Sequence, residues 1–165
     1  MKKKIRVGLV GTAFAGRFHV EAWRRVYGAE VEIAGVTSLR KESREAFGRT
    51  HEIPVHENIA AMLPHCDILD VCSPPAAHEE GMLMAAQAGK GILCEKPLTG
   101  CFGPPGDENF RGDTMPKARM LEEVAARLQR IAAAIRKSGG FFGYAENFVY
   151  APSVQKEREI VEKTG

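Results

Sequence analysis

The sequence predicts an α/β domain built on a doubly wound parallel sheet, and three observations carry the prediction. Short apolar runs alternate along the chain with segments of helical period, the pattern of βαβ units joined by right-handed crossovers. A glycine-rich turn stands directly between the first apolar run and the first helix. The 165 residues suffice for one domain with a sizeable core.

The first strand is predicted over Lys4–Val10. The first helix follows over Phe14–Tyr27, with Phe14, Phe18, Ala22 and Val26 on its inward face. Val31–Thr37 is the second strand. A helix of mixed charge runs over Lys41–Phe47 and ends at Gly48. Ile53–Val55 reads as a short third strand, and Asn58 caps a short helix reaching Leu63, just before Pro64. Ile68–Cys72 is the fourth strand, Ala76–Ala88 the next helix, closed by Gly89, and Gly91–Cys94 the fifth strand.

Residues 99–114 break this pattern. Gly, Pro, Asp and Asn displace large apolar residues there, as in a functional, mobile loop or a disordered insertion. The longest helix is predicted over Lys117–Lys137, with Leu121, Val124, Leu128, Ile131 and Ile135 as its buried stripe and Gly139-Gly140 as its end. Phe141–Tyr144 supplies a sixth strand, and Pro152 opens a last helix to about Lys163. Residues 1–150 thus form one domain with a loop insertion at 99–114, and residues 151–165 begin a linking helix. The sheet and its helices use nearly the whole chain, so a fragment of a longer polypeptide is expected.

A net charge of +2 gives no reason to expect nucleic acid or a membrane as partner. The basic start, Met1-Lys2-Lys3-Lys4, reads as a solvated end with no signal-type or membrane-spanning apolar segment after it. Cys66, Cys72, Cys94 and Cys101 show no C-x-x-C spacing, so no metal site is expected. Cys72 and Cys94 lie in apolar runs and read as buried small hydrophobes in a reducing, cytoplasmic protein.

The turn Gly11-Thr12-Ala13-Phe14-Ala15-Gly16 has the chemistry of an anion site for a dinucleotide pyrophosphate. Gly11 permits the tight turn, position 13 brings backbone to phosphate, and Gly16 lets the helix pack on the strand. The helix start near Phe14 aims unpaired N–H groups at the ligand. Ala13 departs from the usual second glycine by one methyl group, and a plain tight βα turn is the alternative. After the second strand comes Thr37-Ser38-Leu39-Arg40-Lys41. No carboxylate is present to hold a ribose 2′-hydroxyl, whereas Ser38 and Arg40 suit a 2′-phosphate, so NADP(H) is favoured and NAD(H) remains possible. The alternative there is a solvated helix start.

Ser73, Pro74 and Pro75 follow the fourth strand, where ligands of open α/β sheets bind. His78 falls in the first turn of the next helix, either near the nicotinamide half or as a structural residue. Glu95 and Lys96 follow the fifth strand. Extended residues alternate sides, so the two face different surroundings. Lys96 suits holding or protonating a substrate carbonyl oxygen and Glu95 suits ribose hydroxyls; a surface ion pair is the alternative.

Together Val7–His19, Ser73–His78, Cys94-Glu95-Lys96-Pro97 and Tyr144–Pro152 resemble the nucleotide-binding domain of the Gfo/Idh/MocA oxidoreductases, the glucose–fructose oxidoreductase and inositol dehydrogenase group. The resemblance covers about residues 4–98 and 117–164, and Glu-Lys-Pro behind an apolar strand is its specific element. It implies a Rossmann-type domain and an NAD(P)-dependent oxidoreductase acting on a sugar, polyol or related carbonyl substrate. It makes Lys96 the catalytic lysine and places Gly11–Gly16, Ser38, Arg40, Ser73, Pro74, His78 and Glu95 along the cofactor, with Asn147 facing the cleft. Family members carry a C-terminal α/β substrate domain that commonly mediates oligomerisation. This sequence has no counterpart of it, so the chain alone is expected to bind cofactor and turn over poorly. A stand-alone, non-catalytic dinucleotide-binding module, acting as a sensor or docking on a partner, is the second reading. A semialdehyde-type dehydrogenase is the third, with Cys72, Cys94 or Cys101 as nucleophile and no evident partnering base.

Overall fold

A computed structural model describes residues 4–104, 106–107 and 109–165. The basic start at Met1–Lys3, and Pro105 and Glu108 of the 99–114 insertion, lie outside the described residues. Five parallel strands form one sheet: β1 (Lys4–Val10), β2 (Glu30–Thr37), β3 (Ile68–Val71), β4 (Gly91–Glu95) and β5 (Phe142–Ala145), in spatial order β2-β1-β3-β4-β5. The direction of winding reverses between β1 and β3, so the crevice between their carboxyl ends is the ligand-binding position of such a sheet.

Central strands of a parallel sheet are covered on both faces and read as unbroken apolar runs, which is why Val7–Val10 and Leu69–Val71 are buried throughout. Alternate residues serve opposite faces. Leu9 and Val36 pack with Val20 of α1 (Phe14–Trp23) and Phe47 of α2 (Lys41–His51). On the other face Val10, Val71, Ile92 and Cys94 pack with Met62 of α3 (Ile59–Met62), Met82 and Ala85 of α4 (His78–Gln87), and Ile131 of α5 (Lys117–Ser138). The Asn58 side chain caps α3 by accepting from the Ala61 N–H at 2.9 Å.

Several expectations are corrected. Ile53–Val55 is no strand of the sheet, because only Val55 bridges, to Val36. The sheet therefore has five strands and not six. Gly48 does not end α2 but lies buried within it. A Cβ there would stand 2.2 Å from Val55 Cγ2, so this glycine serves close packing, and the helix stops at Glu52 in the left-handed region, φ 53°. Helix α1 ends at Trp23 and is rotated away from the expected stripe. Gly16, His19 and Val20 face inward, while Phe14 and Phe18 are 82% and 61% exposed. The cause is the close approach of Gly16 to the Gly11 carbonyl, in the turn after β1, which fixes the helix rotation. Helix α5 buries Ile131 but leaves Leu121 exposed, since it lies across α4 on one side only.

The described part of the insertion packs against α5. Cys101 lies 3.1 Å from the Glu123 carboxylate, and the Phe102 ring sits 5.7 Å beneath the Arg127 guanidinium. Arg127 and Arg130 also grip Glu79 at 2.8 and 2.9 Å, tying α5 to α4. The final helix α6 (Pro152–Thr164) buries no residue.

At the amino end of β3, Arg6 of β1 forks onto Asp67. Its guanidinium and its backbone N–H hold that carboxyl down at about 2. A depressed carboxyl stabilises the fold above its unfolded value of about 3.9, and the contribution fades as pH falls towards 2. Both partners are substantially exposed, so the effect is small and salt-sensitive. Asp67→Asn is expected to lower the urea midpoint slightly at pH 6, and the difference from wild type should shrink below about pH 4 and vanish only once the pH has fallen through about 2.

Candidate functional site

The registers align the carboxyl ends of all five strands. Val10 pairs with Thr37 and with Val71, Val71 with Cys94, and Glu95 with Ala145. The segments that follow therefore emerge along one edge: Gly11–Gly16, Ser38–Arg40, Ser73–Pro75, Glu95–Pro97 and Asn147.

The turn after β1 is built by close approach. Gly11 has φ 116°, and a Cβ on it would stand 2.5 Å from the Cys72 carbonyl oxygen. The Gly11 N–H donates to the Thr37 carbonyl at 2.9 Å, and the Cys72 N–H donates to the Val10 carbonyl at 2.8 Å. A Cβ on Gly16 would stand 2.5 Å from the Gly11 carbonyl oxygen. Two glycines thus draw the β1 turn, the start of α1 and the β3 loop together. Thr12 is half-buried in this turn. Ala13 is the N-cap of α1, with φ −84° and ψ −161°. Any residue adopts that conformation, so the second glycine of the usual motif is not needed for the backbone here. No side chain caps α1. The amides of Phe14, Ala15 and Gly16 have no carbonyl one turn earlier to meet and are available to an anion.

At the end of β2, Ser38 Oγ donates to the Arg40 carbonyl at 3.2 Å and Arg44 donates to the Ser38 carbonyl at 3.1 Å. Leu39 and Arg40 are exposed. At the end of β3, Ser73 Oγ is buried without a hydrogen-bond partner among the described residues. Pro74 is exposed and Pro75 starts a single 3₁₀ turn, Pro75–Ala77, ahead of α4.

His78 is 1% exposed. Its Nδ1 faces the Pro97 carbonyl at 2.9 Å and its Nε2 the Ser73 carbonyl at 2.7 Å. The ring has no nitrogen left for a ligand. It ties the β3 loop to the β4 loop, which makes it a structural brace of the groove and corrects the expectation that it contacts the cofactor itself.

Glu95 is the last residue of β4. One carboxylate oxygen accepts the Lys96 N–H at 2.9 Å and the other lies 3.2 Å from His19 Nε2. Lys96 is exposed, precedes a cis peptide bond to Pro97, and forms no ion pair among the described residues. The predicted separation of Glu95 and Lys96 to different surroundings is what the structure has. Asn147 is exposed two residues beyond β5.

Beneath the groove lies a polar cluster that the sequence reading missed. Asp70, wholly buried in β3, meets His19 Nδ1 at 2.9 Å and accepts from Trp23 Nε1 at 2.6 Å. The Cys72 thiol lies 3.4 Å from its other oxygen. Burial of the His19 ring favours the neutral form. The Asp70 and Glu95 carboxylates overcome it and lift the ring's pKa above the ordinary value. Burial, then Asp70, pushes the Cys72 thiol well up, and burial chiefly pushes Cys94 up to about 12. Neither thiol is an activated nucleophile. Cys101 lies in the insertion against α5, with the Glu123 carboxylate at 3.1 Å and the Met115 thioether at 3.6 Å. His19, Asp70 and Cys72 offer donor atoms within 4.8 Å of one another, but those atoms already satisfy each other as a hydrogen-bonded network.

The family model for the oxidoreductase family with an NAD-binding Rossmann fold, GFO/IDH/MocA, matches residues 5–102. The chain belongs to the Gfo/Idh/MocA oxidoreductase family. Among curated relatives, the uncharacterized oxidoreductase YrbE of Bacillus subtilis is 27% identical over 98% of this chain and 41% of its own length. Inositol 2-dehydrogenase of Cereibacter sphaeroides is 33% identical over 57% of this chain and 28% of its own. The chain thus spans less than half the length of these relatives. Two solved structures share the fold. GenD2 from gentamicin A biosynthesis, in complex with NAD, has a TM-score of 0.75 at 22% identity over 97% of this chain and 39% of that one. Biliverdin reductase of Synechocystis, with biliverdin and NADP+, has 0.72 at 18% identity over 98% and 44%. Among the described residues, no helix of this Gfo/Idh/MocA chain is long and apolar enough to cross a membrane.

Proposed function

We propose that the chain is the cofactor-binding part of an oxidoreductase that transfers a hydride between a nicotinamide dinucleotide and a sugar, polyol or related carbonyl compound. The observation that carries this reading is the alignment of five strand ends on one edge, with the glycine turn at β1 and Lys96 at β4 both opening onto it. The residues present fit a dinucleotide. Gly11 and Gly16 bring the β1 turn, the uncapped start of α1 and the β3 loop together, and Ser73 Oγ is a buried hydroxyl without a partner among the described residues.

When bound, the nicotinamide supplies the hydride chemistry. Thr12, Ala13 and the amides of Phe14–Gly16 would hold the pyrophosphate. Ser38 and Arg40 would meet the adenosine ribose, and Ser73, Pro74, Pro75 and Asn147 would line the groove. Glu95 would bond the nicotinamide ribose, and Lys96 would hold or move a proton at the substrate's oxygen. The substrate-binding surface belongs to a further part of the protein. Exposed Phe148, Tyr150, Ile160 and Val161, beyond β5 and along α6, are the apolar surface that suits such a part or a partner subunit.

NADP(H) is favoured over NAD(H), because exposed Arg40 offers a forked cation where a carboxylate would repel a 2′-phosphate. Calorimetric titration with NADPH and NADH tests both levels of the reading. NADPH is expected to bind more tightly, and Arg40→Ala to weaken NADPH about tenfold while leaving NADH nearly unchanged. Equal or tighter NADH binding would refute the preference, and binding of neither would refute the function.

A further inference from the structure

We infer that His19 is a positioning residue for the reactive end of the groove: seated on Asp70, it fixes the Glu95 carboxylate, and Glu95 in turn fixes the Lys96 turn. This rests on the dinucleotide reading above and adds to it a residue that touches neither cofactor nor substrate.

The geometry is a chain of directed contacts. Asp70 receives His19 Nδ1 at 2.9 Å and the Trp23 indole at 2.6 Å, so the imidazole is held from one side by a carboxylate that is itself anchored. That leaves Nε2 pointing at Glu95, 3.2 Å away. The second Glu95 oxygen accepts the Lys96 N–H at 2.9 Å. His19 is 7% exposed, whereas the Glu95 side chain keeps a fifth of its surface in solvent and Lys96 is exposed. The chain therefore runs from the core out to the groove.

His19 also lies on α1, whose first turn offers the pyrophosphate amides. One short helix thus carries the anion site at its start and, on its inward face, the imidazole that places Glu95. The period of two along each strand makes this possible: Asp70 and Glu95 both project to the α1 face of the sheet, opposite Val71 and Cys94. The ionisable groups facing His19 are Asp70 from β3 and Glu95 from β4, with the protonated Cys72 thiol bound to Asp70.

A merely structural His19 would affect all ligands alike, whereas a positioning His19 affects only the nicotinamide half. The test is calorimetry of wild type, His19→Gln, Glu95→Gln and the double variant. The probes are the tighter-binding reduced dinucleotide and its matching adenosine half, 2′,5′-ADP for NADPH or ADP for NADH. His19→Gln and Glu95→Gln are each expected to weaken the dinucleotide about tenfold and the adenosine half less than twofold, and the double variant to be no weaker than the weaker single. If His19→Gln does not fold, Glu95→Gln is read alone by nitrogen NMR of the His19 ring. Its titration midpoint should then fall, together with the selective loss of the dinucleotide. Equal losses on both probes, additive losses in the double variant, or a His19 midpoint indifferent to Glu95→Gln would overturn the inference. Wild-type protein that binds the dinucleotide no better than its adenosine half would also overturn it. Wild-type protein that binds neither probe would instead remove the dinucleotide reading on which it stands.

Discussion

Asp70→Ala is expected to cost the fold about 3 to 5 kcal/mol, the range for breaking one side of a buried charge pair. Three donors lose their acceptor at once: the His19 ring, the Trp23 indole and the Cys72 thiol. The His19 ring and the Cys72 thiol cannot turn to bulk water, because both residues are buried. For a chain of this size the loss corresponds to a fall in Tm of about 10 °C. Urea denaturation should show it as a lower midpoint at unchanged slope.

The pH dependence follows from the same contacts. His19 is more basic in the folded state than in the unfolded chain, where its value is about 6.5. Its protonation therefore stabilises the fold fully below about pH 6.5, and the contribution is lost as pH rises through the folded value. Wild-type stability should decline across that window, and the decline should flatten in Asp70→Ala. A cost below about 1 kcal/mol would show that the network is not a stabilising element.

The network also marks where the sequence ceased to be readable. The strands were legible because a parallel sheet buries both faces and so writes continuous apolar runs such as Val7–Val10. The site's edge was legible because a glycine turn and a Glu-Lys-Pro turn each follow such a run, and parallel strands send all such turns to one side. The rotation of α1 was not legible. It is set by the contact of Gly16 with the Gly11 carbonyl, and a glycine contributes nothing to an apolar stripe, so Phe14 and Phe18 suggested the wrong face.

His19 and Glu95 stand 76 positions apart and meet only through strand order. One signal was present in the sequence. Asp70 sits between Leu69 and Val71, and a carboxylate inside an apolar strand requires a partner. His78 shows the converse: a histidine in a helix's first turn carries no mark that separates a ligand from a brace, and only its two carbonyl neighbours decide.

Gly11→Ala is expected to produce the other large effect, and on stability and binding together. Two costs coincide at this position. The backbone holds φ 116°, which L side chains rarely adopt, and the added methyl would overlap the Cys72 carbonyl at 2.5 Å and the Ser73 nitrogen at 2.8 Å. Both neighbours are backbone of the β3 loop, so no side chain can swing aside. Relief requires the β1 turn and the β3 loop to part, and these two segments form the crevice at the reversal of the sheet. A loss of about 3 kcal/mol or more is expected, with dinucleotide affinity reduced more than tenfold in the fraction that remains folded.

Ala13→Gly is the matched control two residues on. The Ala13 backbone is ordinary extended conformation and its side chain is exposed. Removing the methyl should not destabilise the fold, because glycine is the better N-cap of the two, and should leave affinity unchanged or raise it. Thermal unfolding and titration of the two variants side by side separate the glycine that the fold requires from the position where only the ligand's approach matters. If Gly11→Ala binds as wild type does, the crevice is not where the phosphates lie.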